Sequence, residues 1–392
     1  MNSILYIYLI IFLFSGLMGL IVLPRINNIA REKHLVDIPD ERKVHKDPIP
    51  RLGGVCFLPI TLMSIFLFNI LCIILKGSEL EATDTQSFLR IQCCGIGAIL
   101  LYLVGVADDL VGVNYKAKFA AQIAAASLFP LCGLTFKSVF ASIGIPDAPA
   151  WIYIPFTIFM VVYIINSINL IDGVDGLASG ICIIAFGVYT FIFAYLHLPF
   201  LVSTCLSILG VLIVFFFFNV FGREKKGFRK LFMGDTGSLT LGYFISFLSL
   251  SLSFYCKELK FELSGLMYLL FAPLVIPLLD IVRVVYARFR DRVPLFKPDK
   301  RHIHHKLLRT GMSPHWVMIS LLALSLYFIA INTILPRYYS LIWMSLINLA
   351  SWMLMHYIIN YFIYKRRDKD LALEEKFKNQ KNTIREGKRF KL

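Results

Sequence analysis

The chain has 392 residues, of which 58% are hydrophobic and only 17% are charged, and its mean hydropathy is +0.71. Globular chains are about half apolar and about a quarter charged, so this composition excludes a soluble domain. The formal net charge of +15 would suit a nucleic-acid surface. The sequence offers no folded basic domain to carry such a surface, so no nucleic-acid partner is expected.

Apolar blocks follow one another along the chain, each close to the roughly 20 residues that an α-helix needs to cross a bilayer. We predict an all-α, polytopic integral membrane protein with about eleven transmembrane helices. The blocks are 3–23, 54–75, 91–107, 118–136, 154–170, 177–196, 199–218, 237–255, 264–284, 314–334 and 339–364. The first residues, Met1–Tyr8, carry no basic side chain, which favours an uncleaved helix over a signal peptide.

Lysine and arginine fall almost entirely in alternate loops and in the C-terminal tail. These basic segments are 24–53, 108–117, 219–236, 285–313 and 365–392. Because basic loops stay in the cytoplasm, the N-terminus is predicted outside and the C-terminus in the cytoplasm. We divide the chain into a transmembrane catalytic domain, residues 1–364, and a basic cytoplasmic tail, residues 365–392, which can also contact anionic lipid.

The acidic residues gather where predicted helices end on the cytoplasmic side. They are Asp108, Asp109, Asp172, Asp175, Asp235, Asp280 and Asp299. A proton- or ion-coupled transporter usually places ionisable groups near the bilayer midplane. The distribution favours an enzyme that joins a water-soluble substrate to a lipid at the interface. A transporter of envelope precursors and a structural scaffold stay as alternatives.

The first acidic motif ends the third block and reads Gly105-Val-Ala-Asp108-Asp109-Leu110. Successive helical residues point about 100° apart, so one carboxylate can face a metal or act as a base while the other orients a neighbour. The structural alternative is a solvated helix end. Two acids at a helix C-terminus oppose the macrodipole, which favours a functional role.

The second motif ends the fifth block and reads Asn166-Ser-Ile-Asn169-Leu-Ile-Asp172-Gly-Val-Asp175-Gly176. Its polar residues recur at every third position, and a 3₁₀ stretch or a turn at Gly173 is needed to gather all four. A glycine-rich turn capped by Asx side chains explains the glycines. It does not explain two asparagines inside an apolar helix, so function is favoured here too.

The third motif opens the eighth block and reads Phe232-Met-Gly-Asp235-Thr-Gly-Ser238. Asp235 stands where an N-cap belongs, and capping alone could account for it. A helix N-terminus is also a good place to receive phosphate oxygens, and Asp with Mg²⁺ commonly accompanies them. The motif by itself leaves both interpretations open.

The fourth motif follows the ninth block and begins with Asp280-Ile-Val-Arg283. It continues with Arg288, Arg290, Arg292, Phe296, Asp299, Lys300, Arg301, His302, His304 and His305. Cations at this density can hold a diphosphate, and imidazoles can donate hydrogen bonds to phosphate or sugar. A positive-inside loop explains the cations but not three histidines. Zinc is disfavoured because no cysteine accompanies them.

In this order, the four motifs resemble the polyprenyl-phosphate N-acetylhexosamine-1-phosphate transferases, a family of glycosyltransferase family 4 type. The resemblance covers about residues 37 to 308. It also takes in two earlier segments, Asp37-Ile-Pro-Asp-Glu-Arg42-Lys43-Val-His45 and Pro48-Ile-Pro-Arg-Leu-Gly53-Gly54. The fold that it implies is the polytopic helical one.

The resemblance also implies roles for individual residues. Catalytic roles go to Asp108, Asp109, Asp172 and Asp175, and metal binding goes to Asp235 and Asp109. The implied substrate-binding residues are Asn166, Asn169, Phe232, Arg283, Asp299, His302, His304, His305, Arg42, Lys43 and His45. The implied cofactor is Mg²⁺, with Mn²⁺ as an alternative.

The implied reaction moves N-acetylglucosamine-1-phosphate, or a related HexNAc-1-phosphate, from a UDP-N-acetylhexosamine to undecaprenyl phosphate. UMP is released, and cell-envelope polysaccharide synthesis begins. The resemblance also implies a multi-pass protein of the bacterial inner membrane whose active site lies on the cytoplasmic face. It is compatible with a homodimer.

The histidine loop separates the subfamilies. It reads Pro298-Asp299-Lys-Arg-His302-Ile-His304-His305-Lys-Leu. This resembles the GlcNAc-1-phosphate enzymes of O-antigen, enterobacterial common antigen and teichoic-acid pathways. Phospho-N-acetylmuramoyl-pentapeptide transferases instead carry three consecutive histidines followed by Phe-Glu, and their activity is the nearest alternative. The donor sugar, and a direct against a covalent mechanism, stay open.

Overall fold

The computed structural model describes residues 2–37, 48–76, 85–222, 229–258, 266, 268–294 and 300–389. Helices account for most of these residues. In chain order they are α1 (Asn2–Glu32), α2 (Phe57–Lys76), α3 (Thr85–Val111), α4 (Tyr115–Leu131), α5 (Lys137–Ser142), α6 (Ala150–Ile171), α7 (Leu177–Tyr195), α8 (Pro199–Phe221), α9 (Gly234–Glu258), α10 (Val275–Arg290), α11 (Ile303–Arg309), α12 (Pro314–Ile334) and α13 (Leu341–Arg389). Short 3₁₀ helices cover Gly53–Cys56, Ala272–Leu274 and Leu335–Arg337. The predicted all-α class is confirmed.

One short antiparallel pair interrupts the helical pattern. β1 (Val36–Asp37) pairs with β2 (Ile49–Pro50), and Val36 lies opposite Pro50. This pair was not predicted, because two residues are too few to show the alternation that marks a strand. It anchors the segment that leads into α2.

Nine helices within the described ranges are long and apolar enough to cross a membrane. They are α1, the segment Gly53–Leu75 that contains most of α2, α3, α6, α7, α8, α9, α12 and α13. Of the remaining predicted blocks, 118–136 corresponds to α4, which has 17 residues, and 264–284 lies partly outside the described residues. The multi-pass membrane protein is confirmed, whereas the full number of spans and the direction of the termini stay predictions.

Helix α9 lies at the centre of the bundle and is almost entirely buried. It packs against α2, α3, α6 and α7. Its buried residues include many serines, among them Ser246 and Ser249, and small side chains let helices approach closely. A Cβ at Gly242 would lie only 2.7 Å from the Cα of Ile165 in α6. The start of α9 is therefore held in place by several neighbouring helices.

The helix ends that carry the acidic motifs lie together. The side chains at the ends of α3 and α6 bond to those at the starts of α4 and α9. At the other end of these helices, Arg90 of α3 donates to the carbonyl of Cys132 at 3.5 Å, and its guanidinium lies 3.7 Å from the Phe254 ring centroid. The acidic motifs are thus gathered at one end of the bundle, as the sequence indicates, and the assignment of that end to the cytoplasm stays a prediction.

Helix α13 runs without interruption from Leu341 to Arg389. It therefore includes most of the predicted basic tail, and the predicted boundary after residue 364 lies inside a helix. The tail as a separate cytoplasmic unit stays a prediction.

Candidate active site

Two carboxylates from different helices share one ammonium group at the gathered helix ends. Lys118 in the first turn of α4 donates to Oδ2 of Asp108 at 3.1 Å and also to Oδ2 of Asp235. The other Asp108 oxygen accepts the Val113 N–H at 2.7 Å, which fixes that side chain against the α3–α4 turn. All three charged side chains are half-buried. A partly buried ammonium between two acids is a site where charge is concentrated away from bulk water.

Lys118 is a functional candidate that the sequence motifs did not predict. A signal was available, since a cation in the first turn of a helix opposes the macrodipole just as the Asp108–Asp109 pair does at the last turn of α3. The macrodipole therefore favours a functional role for Lys118 as it does for the two aspartates.

Asp109 holds the start of α9. Its Oδ1 accepts the Asp235 N–H at 2.7 Å, and its Oδ2 accepts the Thr236 N–H at 2.9 Å and the Thr236 hydroxyl at 2.6 Å. It therefore caps α9 from another helix, satisfying N–H groups that a helix leaves unpaired at its start. As the helical spacing predicts, neighbouring Asp108 and Asp109 point to different partners.

The capping explanation that the third motif left open does not apply to the Asp235 side chain. Asp109 does the capping, which leaves the Asp235 carboxylate free to bond to Lys118 and Asn169. Gly234 opens α9 with φ +73°, and a Cβ there would lie 2.5 Å from Oδ2 of Asp109. The glycine before Asp235 is therefore required by both the turn and the close approach of the cap.

The two asparagines of the second motif, Asn166 and Asn169, contact different partners. The Asn169 amide donates to Oδ1 of Asp235 at 3.1 Å and to the Ser238 hydroxyl at 2.9 Å. The Asn166 amide donates instead to Gln122 of α4, at 2.6 Å. Asn169 thus joins Asp108, Lys118 and Asp235, and we call these four side chains the carboxylate cluster. Asn166 lies outside it.

The turn after α6 brings Asp175 to a second lysine. Asp175 accepts a hydrogen bond from Lys230, whose ammonium lies 5.6 Å from the centroid of the Phe232 ring. Gly176 has φ +75°, and its N–H donates to the Asn219 side chain at 2.6 Å. The turn therefore places the predicted catalytic residue Asp175 beside Lys230, whose ammonium also lies near the predicted binding residue Phe232. Lys230 itself was not predicted. Asp172 is exposed in the same turn.

The Pro48–Gly54 segment holds the backbone around Phe232. The Phe232 N–H donates to the Pro50 carbonyl at 2.8 Å, and the Gly53 N–H donates back to the Phe232 carbonyl at 2.9 Å. The Gly54 N–H continues the ladder to Met233 at 2.8 Å, and a Cβ on Gly54 would collide with the backbone of Gly237. This explains two glycines that the family resemblance included without a role.

Residues His302–His305, which we call the histidine segment, reach the same end of the bundle at the start of α11. His304 is 2% exposed and packs against Gly173, where a Cβ would collide with its imidazole. Burial, assisted by the neighbouring charges of His305, lowers the pKa of His304 to about 3. Its Nδ1 has no hydrogen-bond partner among the described residues. His304 is therefore a neutral imidazole at physiological pH.

The remaining predicted site residues fall into two groups. Arg283 bonds to Asp280 within α10, at 2.7 Å. Arg42, Lys43, His45 and Asp299 lie outside the described residues. The assignment of these four to substrate binding stays a prediction.

Comparison of the sequence with known proteins identifies a family. Residues 91–253 match the model of glycosyl transferase family 4. The probable undecaprenyl-phosphate N-acetylglucosaminyl 1-phosphate transferase of Bacillus subtilis (strain 168) is 31% identical over 341 residues, 86% of each chain. The decaprenyl-phosphate N-acetylglucosaminephosphotransferase of Mycobacterium leprae is 30% identical over 331 residues, 78% of this chain and 76% of that one.

A more distant relative has the same kind of name. The undecaprenyl-phosphate alpha-N-acetylglucosaminyl 1-phosphate transferase of Escherichia coli (strain K12) is 25% identical over 343 residues, 86% of this chain and 84% of that one. The family model covers the first three acidic motifs, at 105–110, 166–176 and 232–238. The chain therefore belongs to glycosyl transferase family 4, among the polyprenyl-phosphate N-acetylhexosamine-1-phosphate transferases that its motifs indicate.

Proposed function

We propose that this protein transfers N-acetylglucosamine-1-phosphate from UDP-N-acetylglucosamine to undecaprenyl phosphate and releases UMP. The observation that carries the proposal is the carboxylate cluster, in which Asp108 and Asp235 share the Lys118 ammonium at the end of a membrane bundle. The names of the relatives support the sugar phosphate and the lipid acceptor. We place the reaction at the cytoplasmic face of the bacterial inner membrane, where the basic loops are predicted to lie.

The residues of the carboxylate cluster fit a divalent cation. Among the described residues, no three His, Cys, Asp or Glu side chains are grouped to enclose a metal. Mg²⁺ does not need such a cage, because it usually takes one or two carboxylates together with substrate phosphates and water. Asp108 and Asp235 already converge on one cation, the Lys118 ammonium. In our proposal they would hold Mg²⁺, and Mn²⁺ could replace it.

Asp109 was expected from the family resemblance to be the second metal ligand. Both of its oxygens bond to the start of α9. We therefore propose that Asp109 places Asp235 and that Asp108 is the second carboxylate at the metal. Bound Mg²⁺ would neutralise the diphosphate and stabilise charge that develops during transfer.

The chain's own side chains account for the rest of the reaction. An oxygen of the lipid phosphate forms a bond to the β-phosphorus of the UDP-sugar, and the bond from that phosphorus to the bridging oxygen breaks as UMP leaves. Asp108 accepts the proton of a monoprotonated lipid phosphate. Lys118 supplies positive charge and hydrogen-bond donors to the phosphates, and the imidazoles of the histidine segment supply ring nitrogens that face the substrate.

The nucleotide binds beside Lys230, at the Asp175 and Phe232 side chains. Phe232 offers a ring for the uracil to stack on, and the Lys230–Asp175 pair beside it provides polar groups for the nucleotide. The lipid phosphate stays at the interface, because an unpaired phosphate would be costly in the hydrocarbon core. The apolar prenyl chain remains in the hydrocarbon. The donor and the lipid therefore meet at the interface.

The test is UMP release from UDP-GlcNAc and undecaprenyl phosphate by the full-length protein in nanodiscs. We expect release that EDTA abolishes and Mg²⁺ restores, and loss of release in Asp235→Asn. Asp147→Asn serves as a matched control, since that exposed acid lies between α5 and α6, away from the cluster. No metal-dependent UMP from any UDP-HexNAc would overturn the proposal.

The donor is decided in the same assay. UDP-GlcNAc, UDP-GalNAc and UDP-MurNAc-pentapeptide are compared at equal concentration with the same lipid. We expect the highest kcat/KM with UDP-GlcNAc. A preference for the muramoyl-pentapeptide would replace our choice of sugar while keeping the reaction class.

A further inference from the structure

A buried aspartate outside the carboxylate cluster contacts the histidine segment. Asp280 of α10 is 1% exposed, and its Oδ2 lies 2.8 Å from Nδ1 of His302, which is 7% exposed. Its Oδ1 accepts the Ile303 N–H at 3.0 Å and the Arg283 guanidinium at 2.7 Å. A buried charge is stable only when it is paired and hydrogen-bonded, and Asp280 meets that requirement with three different groups.

The contacts of Asp280 determine which ring nitrogen of His302 carries hydrogen. A carboxylate paired with a guanidinium is ionised and can only accept hydrogen bonds. The His302 Nδ1 must therefore be the donor. In the neutral imidazole this leaves Nε2 as an unprotonated acceptor, on the opposite side of the ring from Asp280.

The backbone on both sides of His302 is also tied to α10. Arg283 donates to the Arg301 carbonyl before it, and Asp280 accepts the Ile303 N–H after it. His302 occupies the N-cap position of α11 but makes no side-chain capping bond of its own. The cap comes from Asp280, so a single carboxylate fixes both the start of α11 and the ring of His302.

We infer that Asp280 is a positioning residue that holds His302 as the Nδ1–H tautomer and presents Nε2 to the substrate. Arg283 belongs to the same framework, holding Asp280 and the turn before His302. This inference rests on the proposed function for the role of His302 in the reaction, but the tautomer itself does not depend on it. The competing explanation is that Asp280 only stabilises α11.

The tautomer is measured directly by ¹⁵N-histidine NMR on the full-length protein in lipid. The His302 signals are assigned by their loss in His302→Gln. At a pH where the ring is neutral we expect a protonated Nδ1 and an unprotonated Nε2, and a change of that pattern in Asp280→Asn. A protonated Nε2 with a bare Nδ1 in the unmodified protein would overturn the inference, even if Asp280→Asn does not fold.

A double-mutant cycle then separates positioning from stability. Asp280→Asn is expected to lower kcat/KM for UMP release on the order of 10- to 100-fold, as loss of an orienting partner does elsewhere. When Asp280→Asn is added to His302→Gln, the further loss should be under about 2-fold, because coupled residues are not additive. Multiplicative losses would overturn the inference.

Asp291→Asn is the matched control. Asp291 is an acid of the same region that bonds Arg301 at 2.6 Å but lies at the surface. An exposed pair contributes little, so kcat/KM should change less than about 2-fold. If the unmodified protein releases no UMP from any donor, the proposed function fails, while the NMR pattern still decides the inference about Asp280.

Discussion

The starts of α9 and α11 are both capped by a carboxylate from another helix, but the two carboxylates are used differently. Asp109 gives both oxygens to the backbone and hydroxyl of residues 235–236. Asp280 gives one oxygen to backbone and guanidinium and the other to the His302 ring. At α9, Asp109 fixes the helix start while Lys118 and Asn169 hold the Asp235 side chain. At α11 one carboxylate fixes the helix and the side chain together.

The largest effect should come from Asp109→Asn. An amide offers one acceptor oxygen where three donors now bond, so the start of α9 and the Asp235 carboxylate should shift. We expect UMP release to fall on the order of 10²- to 10³-fold, since small displacements of reacting groups are costly. The free energy of unfolding should fall by about 1–3 kcal/mol. Full activity with unchanged thermal stability in nanodiscs would show that the cap does not position Asp235.

Lys118→Met tests the other half of the α9 region. Removing the ammonium leaves Asp108 and Asp235 facing each other without a cation, so both binding and transfer should weaken, by roughly 10- to 100-fold in kcat/KM. Lys118→Arg keeps the charge and should retain more activity than Lys118→Met. Equal activities for the two variants would mean that the charge is not what matters at this position.

The two regions also differ in how far the sequence predicted them. The acidic motifs were found because aspartates at the ends of apolar helices conflict with burial and with the macrodipole, and both conflicts are local. The division of work between Asp108 and Asp109 depends on where α9 starts, more than a hundred residues away, and no local pattern carries that information. The contact from Asp280 to His302 likewise joins two elements across a loop.

Lys118 and Lys230 were overlooked for a related reason. Basic residues near helix ends are expected from the positive-inside pattern whatever their function. Only the conflict with the macrodipole marks Lys118, and Lys230 lacks even that signal. A 3₁₀ stretch or a turn at Gly173 is needed to gather the four polar residues of the second motif, but the helix before Gly173 continues regularly to Ile171. Asn166 and Asn169 therefore lie about 60° apart and one turn apart along the helix axis, and they bond to different partners, Gln122 and Asp235.

Gly173→Ala tests the contact that joins the two regions. A Cβ at this position would collide with the buried His304 ring, and overpacking of this kind costs about 1–3 kcal/mol. We expect a lower kcat and a lower unfolding temperature. Gly187→Ala is the control, because no heavy atom lies within 4 Å of its Cβ position, and a helical alanine should keep or raise stability. Similar behaviour of both variants would contradict the contact.

The buried His304 of the histidine segment should also affect how the free energy of unfolding depends on pH. The pKa of His304 is about 3 in the folded protein because of burial, and about 6.5 when the chain is unfolded. Between these values the unfolded chain binds the additional proton, so stability falls as the pH drops below about 6.5. From pH 7 to pH 5 the contribution is about 2 kcal/mol. His304→Gln should lose less stability over this range than the unmodified protein, and equal slopes in thermal unfolding would contradict a buried neutral His304.

The smallest effect on catalysis is expected from a substitution of Asn166, which lies in α6 next to the carboxylate cluster but outside it. Asn166 bonds to Gln122 at 2.6 Å and not to the carboxylate cluster, so Asn166→Ala should leave UMP release per folded molecule unchanged. It should still cost about 1–3 kcal/mol of stability, because the buried Gln122 amide loses its partner. Asn169→Ala, one turn along the same helix, removes a donor to Asp235 and should lower kcat. A larger catalytic loss in Asn166→Ala than in Asn169→Ala would mean that the substrate reaches further along α6 than the carboxylate cluster does.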